Sequence, residues 1–179
     1  MPQFKIEQVA LYPVNPVKAR SLLSDLGLSS WVHDTVVAAG EVFGEAVENE
    51  ANLSFNYQAG NGEFVKEADG LELAPAGFKP LELEVLHYAE GPNWMDHRVS
   101  HHDSAVSHLG MHVTEEQLQE FDAVFRSHDI GIAQRVVTQS HTNEAIKDSR
   151  RYKYVIYDTH SIIGVDLKFI VRLPYTPEQ

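Results

Sequence analysis

The chain has 179 residues, 43% of them hydrophobic and 22% charged, with a formal net charge of -12, which suits one globular domain with a sizeable core. The acidic balance opposes sequence-independent binding to nucleic acid or to an anionic membrane surface, since both draw on Lys and Arg. Cysteine is absent, so disulfides, thiolate zinc sites and cysteine nucleophiles are excluded. The opening Met1-Pro2-Gln3-Phe4-Lys5 has no apolar signal region and no apolar run approaches the ~20 residues of a membrane helix, so a cytoplasmic protein is expected.

The first expected element is a strand over Phe4–Tyr12, rich in Val, Ile, Phe and Tyr. Asn15 then offers an N-cap oxygen and Pro16 a pre-set first helical position. Leu22, Leu23 and Leu26 give an apolar stripe, and Gly27 is placed to end the helix in the left-handed conformation. Two strand-like runs follow, Trp31–Phe43 and Ala51–Gln58, with Gly44 and the polar Glu48-Asn49-Glu50 between them. Residues 59–80 read as an irregular connection with a short strand near Gly62–Lys66. After Pro80, the alternation of Leu81–Tyr88 puts Glu82, Glu84 and Leu86 on one face.

Residues 89–106 form a polar, histidine-rich bridge. Beyond it, Ser107–Val113 reads as a strand, and Thr114-x-x-Gln117 as a capping box. Leu118, Phe121, Val124 and Phe125 make the apolar stripe of a helix that Gly131 would end. Strands are then expected at Ile132–Ser140, Tyr152–Asp158 and Gly164–Leu173, with Pro174 and Pro177 marking a tail. The order is β-α-β-β-β written twice: a first module over 1–88, a linker over 89–106 and a second module over 107–179, in one compact α+β domain. Each copy opens on a strand whose first polar side chain, Gln8 or His108, is a potential metal ligand.

The repeat, its strand order and Ser107-His108-Leu109-Gly110-Met111-His112-Val113 before an amphipathic helix resemble the vicinal oxygen chelate superfamily, the group of glyoxalase I, bleomycin-resistance proteins and extradiol dioxygenases. The resemblance implies two βαβββ modules in pseudo-twofold arrangement, forming a curved sheet with a central cleft, and allows a homodimer. It also implies a divalent metal (Fe, Mn, Ni, Zn or Co) held by the first and last strands of each module, as in a lyase, isomerase or dioxygenase of a small oxygen-rich substrate. Carried over, the ligands fall on Gln8, His108 and Glu84, and in the natural register the fourth position is Lys168. Lysine is no ligand for a hard cation when protonated. A two-residue shift would bring in Asp166, with Glu82 as the alternative to Glu84. The other reading is metal-free: Lys168 pairs with Glu84 across the cleft and the protein sequesters a small molecule. Glu84 and Lys168 are the candidate catalytic residues, and Tyr12, Glu82 and His112 are expected to line the pocket.

The remaining features have plainer readings. His97, His101 and His102 fit solvated loop positions. Tyr88, Tyr152, Tyr154 and Tyr157 suit packing or stacking on a ligand. Lys147, Arg150, Arg151 and Lys153 form a local positive patch. Gly60-Asn61-Gly62 lacks the lysine and helix of a phosphate loop.

Overall fold

The computed structural model describes residues 2–59, 81–100 and 102–174. The expected connection near Gly62–Lys66, His101 and the tail from residue 175 lie outside that set. The elements run β1 (Gln8–Tyr12), α1 (Pro16–Asp25), β2 (Trp31–Val42), β3 (Glu45–Asn56), β4 (Glu82–Glu90), a short 3-10 helix (Trp94–His97), β5 (Ala105–His112), α2 (Glu115–Ser127), β6 (Ile132–His141), β7 (Arg150–Tyr157), α3 (His160–Ile163) and β8 (Asp166–Pro174). The β-α-β-β-β order therefore occurs twice, the second time with the short α3 before its last strand.

The strands form a closed barrel in the order β1-β4-β3-β2-β6-β7-β8-β5. Each half has its first strand parallel to its last, β1 with β4 and β5 with β8. Two antiparallel seams, β1 with β5 and β2 with β6, join the halves. The expected curved sheet thus closes into a barrel, and the space expected as a cleft is its interior, apolar and packed in one part and holding a cavity in another. Closure at the second seam depends on Gly40, where a Cβ would stand 2.1 Å from the Arg135 carbonyl oxygen.

Local chemistry accounts for most of the boundaries. Asn15 accepts from the Lys18 N–H at 2.9 Å to start α1. Gly27, at φ +99°, closes it as expected. Thr114 and Gln117 cap α2 reciprocally at 3.2 and 2.9 Å. The left-handed residue after α2 is Asp129 (φ 56°), rather than the expected Gly131. Between β2 and β3 the turn is only Phe43 (φ 47°) and Gly44 (φ 84°), a two-residue hairpin whose twist matches the strands. Glu48-Asn49-Glu50 therefore lies within β3, not in a connection.

The two helices differ in how they pack. On α2, Leu118, Phe121 and Phe125 bury against Phe169 and Tyr157 on the outer face of the barrel, with the Phe125 and Tyr157 rings stacked at 4.0 Å. Val124 is left partly exposed. On α1 no residue is buried; Leu22 and Leu26 of the expected stripe are 59% and 70% exposed.

A second apolar cluster, including Val36, Ala38, Ala51, Leu86, Val136, Trp94 and Met95, fills one end of the interior. Trp94 and Met95 come from the 89–106 segment, which plugs the barrel as well as bridging its halves. The 3-10 helix is capped by Asn93 and Asp96, each bonding the other's backbone or side chain. No helix among the described residues is long and apolar enough to cross a membrane.

Candidate functional site

The other end of the barrel interior is polar. Inward positions alternate along each strand, so β1 contributes Gln8, β4 Glu82 and Glu84, β5 His108 and His112, and β8 Lys168. Gln8, Glu84 and His108 are buried to 1%, 0% and 0% exposure. Their meeting requires Gly110: a Cβ there would lie 2.7 Å from Gln8 Oε1 and 3.0 Å from Gln8 Cβ.

The hydrogen bonds fix the chemistry of this cluster. Gln8 donates its amide N–H to Glu82 Oε1, which turns Gln8 Oε1 toward His108. His108 Nε2 lies 2.8 Å from Gln8 Oε1 and 3.2 Å from Glu84 Oε2. Both partners are acceptors, so Nε2 carries the proton. His108 Nδ1 is then free to accept from the Ser107 hydroxyl, 3.0 Å away. Lys168 Nζ lies 3.4 Å from Glu84 Oε2 and 4.6 Å from the centre of the Tyr154 ring, a cation–π contact. Glu84 Oε1 has no partner among the described residues.

Burial drives the titration of this set, and charge then sorts it. For Glu84, burial favours the neutral acid, but the Lys168 charge and the His108 hydrogen bond outweigh it and hold the carboxylate down at about 2. For His108, burial and then the Lys168 charge disfavour the imidazolium and bring its pKa to about 4, against 6.5 for an unperturbed ring. For Glu82, burial raises the pKa, and the Glu84 charge adds to the rise.

A stability consequence follows from His108. Between pH 6.5 and about 4 the unfolded chain protonates this histidine and the folded chain does not, so stability falls as pH falls through that window. The full loss is on the order of 3 kcal/mol. Glu84 adds a second loss at lower pH, as its folded pKa of about 2 is approached. Urea unfolding at pH 7, 5.5 and 4.5 should show the decline, and His108→Gln should flatten it. An equal slope in the variant would assign the effect to another group.

The cluster forms the floor of a cavity of about 50 Å³, lined also by Asp34, Leu53, Phe55, Tyr57, His112, His141, Ile146, Tyr152, Tyr154 and Ile170. His112, with a side chain 41% exposed, stands nearer the solvent and is also 3.2 Å from Glu7 Oε2. Burial and the nearby Glu82 raise the Tyr57 pKa. Beyond Lys168 a second cavity of about 30 Å³ runs into the apolar half. Glu84, Trp94 and Gln134 line it, and their Oε1, Nε1 and Oε1 atoms are buried without protein partners among the described residues. Such a set suits ordered water.

Six of the eight residues singled out from the sequence meet in this cluster or line its cavity, and two are not where the site needs them. Asp166 sits beside His108 in the β5–β8 ladder, yet its carboxylate is taken up elsewhere. It accepts from Arg98 Nε at 2.7 Å and Nη2 at 3.3 Å, and from the Thr159 and His160 N–H groups at 3.1 Å each. Arg98 also bonds Asp158 at 2.7 Å. Asp166 therefore anchors the bridging segment and is not available to a metal. Tyr12 shares the Gln8 face but lies four residues along β1, roughly 13 Å away. There it packs near Tyr88, ring centres 6.4 Å apart, away from the polar cavity. The expected positive patch is also dispersed: Arg150 is buried, and Lys153 and Lys147 pair with Glu115 and Glu144 at 2.6 Å.

As a metal shell the residues fit poorly. Gln8, His108 and Glu84 converge, but the fourth place is held by a lysine. Among the described residues no group of three or more His, Cys, Asp or Glu side chains is arranged to hold a metal. Sequence reasoning missed Asp34, Tyr57, His141 and Arg98. The alternation of β2 could have flagged Asp34 as a polar residue on an inward face; the others depend on tertiary placement.

No family profile and no curated protein sequence matches the chain. Among solved structures, the chain is similar to a crystal structure of selenomethionine methylmalonyl-CoA epimerase. The alignment covers 96% of this chain and 97% of that one, at 11% identity and a TM-score of 0.44.

Proposed function

We propose that the chain is a vicinal oxygen chelate protein that binds a small molecule without a metal, the Glu84–Lys168 pair standing at the superfamily's metal position. The duplicated β-α-β-β-β order and the meeting of Gln8, Glu84, His108 and Lys168 support the superfamily. One observation carries the metal-free reading: Lys168 Nζ lies 3.4 Å from Glu84 Oε2, both side chains being buried. A divalent ion sharing Glu84 would face that ammonium at short range, where each pair of unit charges repels by about 4 kcal/mol at an effective dielectric near 20. Lys168 supplies the positive charge, and its Glu84 and Tyr154 contacts hold it at the cavity floor.

Elemental analysis of protein purified without chelator tests this, together with thermal melts in Mn, Ni, Co and Zn. Wild-type protein is expected to hold no stoichiometric metal and to gain no stability. Lys168→Glu supplies a fourth donor, a carboxylate oxygen, and should gain several degrees with at least one of these ions. One metal retained per wild-type chain would overturn the reading.

A further inference from the structure

On the cavity wall contributed by β2 and β6, His141 and Asp34 form a pair that the resemblance does not assign. His141 Nδ1 lies 2.7 Å from Asp34 Oδ2, and both side chains are only 2% exposed. The other oxygen, Asp34 Oδ1, accepts the N–H groups of Thr142 and Asn143 at 2.9 Å each. A carboxylate facing three N–H donors is an acceptor on every side, so the histidine nitrogen beside it bears the proton. In the neutral ring Nε2 is then left as a lone pair. The ring is braced by Tyr152, edge to face at 5.9 Å. Nε2 is buried with no protein partner among the described residues, and His141 lines the same cavity as Lys168.

We infer that His141 Nε2 is the hydrogen-bond acceptor of this cavity, receiving an O–H from a small uncharged hydroxy-carbonyl compound whose carbonyl oxygen meets Lys168. The inference rests on the metal-free binding reading of the same site. Size supports it: the cavity of about 50 Å³ has room for a few water-sized groups, which favours a small ligand. Charge supports it too. Glu84, Asp34 and Glu82 face the cavity, and Lys168 is the one lysine or arginine among the described lining residues, so an anionic ligand is disfavoured. The walls present a bare acceptor and a bound cation, a pairing that a hydroxyl next to a carbonyl can satisfy with both its oxygens.

The test uses full-length protein labelled with nitrogen-15 and hydroxyacetone as probe. Acetone, which lacks the hydroxyl, and glycolate, which adds the charge, are the controls. The His141 ring nitrogens should report a proton on Nδ1 alone. Hydroxyacetone should shift the Nε2 resonance saturably, while acetone and glycolate bind roughly tenfold more weakly or not at all. His141→Phe should weaken hydroxyacetone by a similar factor, and Asp34→Asn should move the ring proton. A proton on Nε2 in the wild type, or unchanged hydroxyacetone affinity in His141→Phe, would overturn the inference while leaving metal-free binding intact. Failure of hydroxyacetone to shift any cavity resonance would overturn the ligand class. A stoichiometric metal would instead overturn the reading beneath it.

Discussion

Lys168→Met should lower the unfolding free energy by about 3–5 kcal/mol, because it leaves Glu84 as an uncompensated charge in the barrel floor. The Glu84 carboxylate is wholly buried, and its second oxygen has no protein partner among the described residues, so little else can absorb the loss. The double variant Glu84→Gln/Lys168→Met should recover most of it, since exchanging both members of a buried ion pair for neutral groups of similar shape is often close to neutral. Urea unfolding of the two single variants and the double variant gives the coupling directly. A Lys168→Met protein as stable as wild type would mean that Glu84 is protonated at neutral pH, against the pKa of about 2 set by its neighbours.

The second large effect is expected at Gly40. Its backbone angles need no glycine, since its φ is not in the left-handed region. The constraint is contact: a Cβ would stand 2.1 Å from the Arg135 carbonyl oxygen and 2.8 Å from the Val136 Cα. Both are backbone atoms of the paired strand and cannot rotate away. Gly40→Ala should therefore push β2 from β6 and cost about 3 kcal/mol, the upper end of over-packing penalties. Gly44→Ala, at the adjacent turn, meets nothing within 4 Å and serves as a control for the change in residue type alone. Its own cost comes from a positive φ of 84°. Amide exchange should distinguish them, with protection across Ala38–Val42 and Gln134–Thr138 lost in Gly40→Ala but retained in Gly44→Ala.

Much of this architecture can be read in local chemistry. Asn15, Gly27, Thr114 and Gln117 mark helix ends through bonds made within a few residues, and strand alternation puts Glu82, Glu84 and Lys168 on inward faces. The close meeting of Gln8 with His108, and of Glu84 with Lys168, follows once the two copies are laid side by side. What escaped was set by partners distant in sequence. Leu22 and Leu26 look like a core stripe because periodicity records amphipathicity, not whether a receiving surface exists. Asp166 looks like a ligand until Arg98, 68 residues away, claims it. His141 gains its meaning only from Asp34, 107 residues earlier. Gly40 gives no signal in sequence, since its role lies in the strand beside it.

The two seams of the barrel also impose an order of events on the growing chain. When β1 to β4 have been synthesised, β1 and β2 are the outer strands of an unfinished sheet, and their partners β5 and β6 are still to come. Each seam pairs residues about a hundred positions apart, as Ala10 with His108 and Val42 with Gln134, so closure carries a large loop entropy and comes late. Until then the first half presents unpaired strand edges, the surfaces by which nascent chains most readily stick to one another. Gln8, Glu84, His108 and Lys168 are divided between the halves. The cavity is therefore assembled only in chains that have completed closure, and ligand binding would select that population from any half-closed one.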